Sequence, residues 1–211
     1  MADPWRLTAR TAKAALDRGE LTATELVESC LARITAEDGE LRAFITLCGE
    51  RALREARASD QQRASGAAPR PLEGLPFAVK DVTATAGVRT TYGSRVHIDH
   101  VPVADELCIA RLRKAGAILV GKTNTPEFGF GPHSTNALCG PTLNPYDRWL
   151  SSGGSSGGSA VGSRPEWYLW PKERTSADQC ELQQASAAPS VYVKRPVLFR
   201  LRISHWRGTR W

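Results

Sequence analysis

Two short apolar runs constrain this chain more than any other feature: residues 75–80 (LPFAVK) and residues 117–120 (AILV). Each is too short for a buried helix, and glycine borders both, so each reads as a buried strand. Between them, residues 106–115 read as a helix stopped at Gly116. Strand, helix and strand in that order imply an α/β fold with some parallel pairing. Upstream, residues 8–18 predict a short helix with Gly19 as a left-handed stop. Thr22 and Glu25 have the spacing of a capping box. Leu26, Val27, Cys30, Leu31 and Ile34 then recur at helical spacing and predict an amphipathic helix to about residue 36. Residues 41–47 predict a short strand or an entry into the core, residues 50–58 a helix, and residues 61–71 a surface loop.

A chain of 211 residues has room for one domain with or without an appendage, and a globule of this size buries roughly 70% of its unfolded surface. No apolar run approaches the roughly 18–20 residues of a membrane helix. The N-terminal MADPWRLTARTAKAALDRG lacks the apolar stretch of a secretory signal. The five cysteines are odd in number, scattered and without a C-x-x-C pair. That argues against a disulfide framework or a zinc site and predicts a cytoplasmic protein with no membrane partner. The net charge is +6, but residues 164–211 hold nine Lys and Arg against four Asp and Glu. The body is therefore nearly neutral, and the expectation is no nucleic-acid partner.

Three segments carry chemistry, each with a plainer alternative. GAILVGKT (116–123) fits the phosphate-loop pattern G-x-x-x-x-G-K-[ST]. Its middle residues are strand formers, however, and Asn124-Thr125-Pro126 follows where a helix should begin. Lys122 is better read as ending a buried strand and meeting a polar partner. SSGGSSGGS (151–159) is either a flexible linker or a loop whose small residues allow close approach to a ligand. Lys80 closes the first apolar run. It is either a lysine paired with Asp81 or a desolvated amine whose pKa falls from about 10.4, so that its neutral form can act as a base.

Taken together, GLPFAVKD (74–81), GVRTTYGS (87–94), AGAILVGKTNTPEFGFG (115–131), GPTLNP (140–145) and GGSSGGSA (153–160) resemble the amidase signature family in order and spacing. ELTATELVESCLARI resembles that family's N-terminal segment. The resemblance covers about residues 8–161. It implies an α/β/α domain around a mixed, twisted sheet, here truncated, and hydrolysis of a carboxylic amide C–N bond through an acyl-serine intermediate without metal or organic cofactor. By the same resemblance Lys80 is the base, Ser155 the relay serine on a cis peptide, and Ser156 an auxiliary hydroxyl. Phe128, Phe130 and Gly154 are candidates for the substrate side, the two phenylalanines having the alternative of being core. The implied partner is a small-molecule amide, with a homo-oligomer left open.

The family's nucleophile belongs to a GTDxGGS motif about two dozen residues beyond the relay serine, and its amides form the oxyanion hole. This chain has no such motif; Asp178, Gln179 and Cys180 stand near the expected place. From about residue 162 helical and strand periods disappear, and four of the six tryptophans follow. A shifted reading frame accounts for this. Codons formed from the last base of one written codon and the first two of the next can spell MVPLAQGTDLGGSVR from Glu166 to Glu181. The serine codon then straddles Asp178 and Gln179. The expected domain division is 1–161 for the family part and 162–211 for a non-family, unstructured tail. Without the family's later strands, residues 75–80 and 117–121 are expected to expose sheet edges.

Two other functions fit less well. One is the glutaminase-type subunit of a transfer-RNA amidotransferase, a subgroup that resembles MDEF where this chain has Thr125-Pro126-Glu127-Phe128. The other is a non-enzymatic module binding through the basic tail.

Overall fold

The computed structural model describes residues 3–163. Its order is α1 (Ala9–Arg18), α2 (Ala23–Leu41), β1 (Phe44–Leu47), α3 (Gly49–Ala64), β2 (Pro76–Lys80), α4 (Leu107–Lys114), β3 (Ile118–Thr123) and α5 (Gly157–Gly162). Three short 3₁₀ turns lie at Pro4–Arg6, Arg95–His97 and Glu127–Gly129. β2 and β3 pair in parallel and β1 joins β3 antiparallel, giving a mixed sheet in the order β1-β3-β2. β3 is therefore interior, with a neighbour on each side. Among the described residues the sheet edges are β2 and β1, a correction to the expectation that both apolar runs form edges.

The helix ends follow the sequence closely. Thr8 caps α1 through the Thr11 amide, and Gly19 closes it in the left-handed region at φ 72°. Both bonds of the Thr22–Glu25 capping box form. α2 runs five residues past the expected end because Asp38 keeps its last turn productive. The Asp38 carboxylate accepts the Ala43 amide at 2.6 Å and the Phe44 amide at 3.3 Å, so helix and β1 are joined by one side chain. α3 likewise extends to Ala64 and absorbs the start of the predicted 61–71 loop.

Side chains alternate across a strand, and β3 sorts its residues accordingly. Ile118 and Val120 pack with Leu16, Leu26, Val27, Ala52 and Val161 under α1, α2, α3 and α5. Ala117 and Leu119 pack with Phe77, Val79, Val88 and Ile109 on the α4 side. The result is an α/β/α arrangement. One irregularity then reverses the alternation: Phe77 pairs with Leu119 but Ala78 pairs with Gly121, so Val120 is an extra residue in β3. Beyond this bulge Lys122 pairs with Val79 on the α4 face, and Thr123 pairs with Lys80 on the face that α5 covers.

Candidate active site

Lys80 is the last residue of β2 and only 6% exposed. Its Nζ lies 2.6 Å from Ser155 Oγ, across 75 residues of sequence. Ser155 follows a cis Gly154–Ser155 peptide, and the chain then enters α5 with the buried Ser156 as its N-cap. A second rung lies beside the first, with Thr123 Oγ1 and Ser159 Oγ 2.6 Å apart. α5 approaches the strand ends this closely because position 158 carries no side chain. A Cβ on Gly158 would stand 2.5 Å from the Asn124 amide nitrogen and 2.6 Å from the Ala43 oxygen. The SSGGSSGGS run is thus no linker; its glycines let a helix sit against the sheet at the lysine.

Asp81 does not pair with Lys80, because neighbours along a strand point to opposite faces. Its Oδ2 accepts the Thr91 amide at 3.0 Å and the Thr91 hydroxyl at 2.5 Å, while its buried Oδ1 has no hydrogen-bond partner among the described residues. On the same side Lys122 donates to the Thr83 carbonyl and, at 3.0 Å, to Thr85 Oγ1. Lys122 thus ends a buried strand on polar partners, and no phosphate loop forms. Burial pushes the Asp81 carboxyl up and the Lys122 amine down to about 8, with the Coulombic attraction between the two opposing both shifts.

Phe128 and Phe130 are 48% and 83% exposed, so neither is core. Phe128 has φ 51°, donates its amide to the Tyr92 carbonyl at 2.7 Å and meets His97 edge-on. Gly154 is exposed at the bend that presents Ser155.

The sequence reading missed the buried polar residues that hold the segment between β3 and the bend. Asn124 follows β3 and donates from Nδ2 to Thr142 Oγ1 at 2.9 Å and to the Gly140 and Arg42 carbonyls. Asn136 donates to Asn124 Oδ1 at 2.6 Å and to the Thr125 carbonyl at 2.7 Å. Ser134, 2% exposed, touches the bend itself. The available signal was a cluster of Asn, Ser and Thr in a stretch otherwise read only as turns.

With this geometry in view, the comparisons are specific. A sequence model of the family described as Amidase matches residues 25–162. The chain is 47% identical over 161 residues to the A subunit of the glutamyl-tRNA(Gln) amidotransferase of Chloroflexus aurantiacus, covering 76% of this chain and 33% of that protein. Among solved structures, the peptide amidase of Stenotrophomonas maltophilia superposes with a TM-score of 0.69 at 37% identity, over 74% of this chain and 33% of its own. A bacterial aryl acylamidase of the amidase signature family gives 0.72 at 28% identity, over 75% and 33%. The chain belongs to the amidase signature family, a family of C–N hydrolases, and spans about a third of the length of the relatives it matches.

These likenesses overturn the expected partner set of a small-molecule amide with no nucleic acid, since the 47%-identical relative is by name a component of an enzyme of glutamyl-tRNA(Gln). The near-neutral body was the basis for that expectation. It misled because net charge describes the non-specific attraction of a surface to phosphate and carries no information on partners met through other subunits. The nucleophile position, Cys180, the shifted frame and the basic tail all lie outside the described residues. No helix among the described residues is long and apolar enough to cross a membrane.

Proposed function

We propose that this chain is the front part of an amide hydrolase in which Lys80 is the base and Ser155 the proton relay. The observation that carries this is the 2.6 Å contact between Lys80 Nζ and Ser155 Oγ under the cover of α5. In this reading uncharged Lys80 takes the proton of Ser155, and Ser155 takes that of a nucleophilic serine. The serine adds to the amide carbonyl, the amine leaves, and water releases the acyl group. Ser156 supplies a second hydroxyl nearby, and Phe128, Phe130 and Gly154 face the substrate. Residues 1–161 form the family part, and residues 162–211 are that family's continuation in a shifted frame, with the nucleophile codon spanning Asp178 and Gln179. A cytoplasmic location suits Cys30, Cys48, Cys108 and Cys139, all free thiols.

The test has two stages. The nucleotide sequence across codons 155–211 should contain GTDxGGS in another frame. Protein made from the restored frame should then turn over simple amides, and Lys80→Ala should lower kcat about 10²–10⁴-fold. The 211-residue chain itself should show no turnover. Amide turnover unaffected by Lys80→Ala would place the chemistry elsewhere.

A second, narrower reading is favoured by the 47% identity to the A subunit of an amidotransferase: the amide is that of glutamine, and the protein works within a transfer-RNA amidotransferase. Comparing kcat/KM for glutamine and for an aryl amide in the frame-restored protein separates the two. A preference for the aryl amide excludes the glutaminase reading.

A further inference from the structure

The Ser155 hydroxyl is aimed by the conformation of residues 153–157, and few side chains hold that bend. Ser134 reaches it at three alternate residues. Its amide donates to the Gly153 carbonyl at 3.1 Å, its hydroxyl donates to the Ser155 carbonyl at 3.2 Å, and the same hydroxyl accepts the Gly157 amide at 2.7 Å. The bonds therefore fall before, at and after the relay residue. One hydroxyl serving as donor and acceptor to residues two apart fixes the peptides on both sides of Ser156.

Position 157 accommodates this approach because it is glycine. A Cβ there would lie 2.8 Å from Ser134 Oγ and 2.4 Å from Ser152 Oγ. Ser134 is in turn held from behind. Its carbonyl accepts the Thr142 amide at 2.8 Å, and Thr142 Oγ1 accepts from Asn124 Nδ2 at 2.9 Å, directly beyond the end of β3. A continuous path of hydrogen bonds thus runs from the strand beside Lys80 to the bend carrying Ser155. The two halves of the candidate relay are set against a common frame.

We infer that Ser134 is a positioning residue for this site, orienting Ser155 toward Lys80 without itself touching the reacting atoms. The inference rests on the reading of Lys80 and Ser155 as base and relay, and it can be tested on the 211-residue chain as it stands, without a nucleophile. Lysine labelled with ¹³C at Cε is followed by NMR against pH, with the Lys80 signal assigned by its disappearance in Lys80→Arg. Ser155→Ala removes a hydrogen-bond partner of the Lys80 amine and should move its midpoint by about one pH unit. Ser134→Ala should move the midpoint in the same direction by about half as much or more, with the other lysine signals unchanged. Ser134→Cys keeps a hydrogen-bonding group at the same position, larger and a weaker donor. It should give a smaller shift of the same sign, and it carries the test if the alanine variant does not fold. If Ser155→Ala moves the Lys80 midpoint and neither Ser134 variant does, the inference is overturned. If Ser155→Ala leaves the midpoint in place, the base-and-relay reading fails instead and takes this inference with it.

Discussion

In the layer of α1, α2 and α3 the fully buried side chains are Leu16, Ala23, Leu26, Val27, Leu41, Ala52 and Ala56, packed in one cluster with Ile118 and Val120. Between residues 124 and 156 the buried polar side chains are Asn124, Thr125, Ser134, Thr142 and Ser156. The first region is ordered by apolar area, a non-directional force shared over many contacts. The second is ordered by directed hydrogen bonds that converge on a few atoms of Asn124, Ser134 and Thr142. Area tolerates small displacements; a bond between a buried amide and a buried hydroxyl holds its atoms to a few tenths of an ångström. The relay candidate hangs from the second kind of structure, and the base candidate stands on a strand packed by the first.

The largest test of this contrast is Leu26→Ala, which removes apolar volume from a site 2% exposed. It should cost about 2–5 kcal/mol and lower the melting temperature of the whole described region. Hydrogen exchange should speed up in the helices and in the 124–156 segment alike, because Asn124 and Thr142 are bonded to the Arg42 carbonyl at the end of α2. Asn124→Ala should act more narrowly. Loss of the hub leaves the Thr142 hydroxyl and the Gly140 carbonyl short of a donor and should cost about 1–3 kcal/mol, read as faster exchange at the Ser134 and Thr142 amides with α1–α3 still protected. Equal deprotection of the helices would show that the two regions are one cooperative unit.

The smallest effect lies at the seam, where Asp38 holds the start of β1 while the Arg42 carbonyl accepts from Asn124 and Thr142. Burial pushes the Asp38 carboxyl up to about 6, against the two backbone amides that favour its charged form. A carboxyl with a raised folded-state pKa binds its proton more tightly in the folded chain. Stability from this group therefore falls as pH rises from about 4, its unfolded value, to about 6, and is level above that. Asp38→Asn has no such titration. Measured by urea unfolding, its stability relative to the parent should rise by about 1.4 kcal/mol between pH 5 and pH 7. A constant difference across that range would mean the carboxyl is better solvated than its burial indicates.

The same contrast explains what could be read from the sequence. α1, α2 and the two strands of the parallel pair were legible because apolar area leaves a period: Leu26, Val27, Cys30 and Ile34 face one way whatever surrounds them. Lys80 and Ser155 were legible through the resemblance to a family, together with the contact between them that it implied. The spacing of residues 153–160 alone fits a flexible linker equally well. The hydrogen-bonded segment was illegible, since Asn124, Ser134 and Thr142 follow no period and their types are those of any surface loop. The end of α2 was missed by five residues because a side chain reaching forward to Ala43 and Phe44 has no local signature.

β3 contains one residue more than its partner needs opposite Phe77 and Ala78. If the strand kept Val120 but alternated strictly, with no bulge, position 122 would point toward α5 and the next residue away. The chain has two lysines on adjacent rungs, Lys80 opposite Thr123 and Lys122 opposite Val79, each able to end an apolar strand. Which of them shares a compartment with the serines, and which is sealed behind the sheet with threonines, is decided by a miscount of a single residue. Chemically identical amines thereby acquire different neighbours.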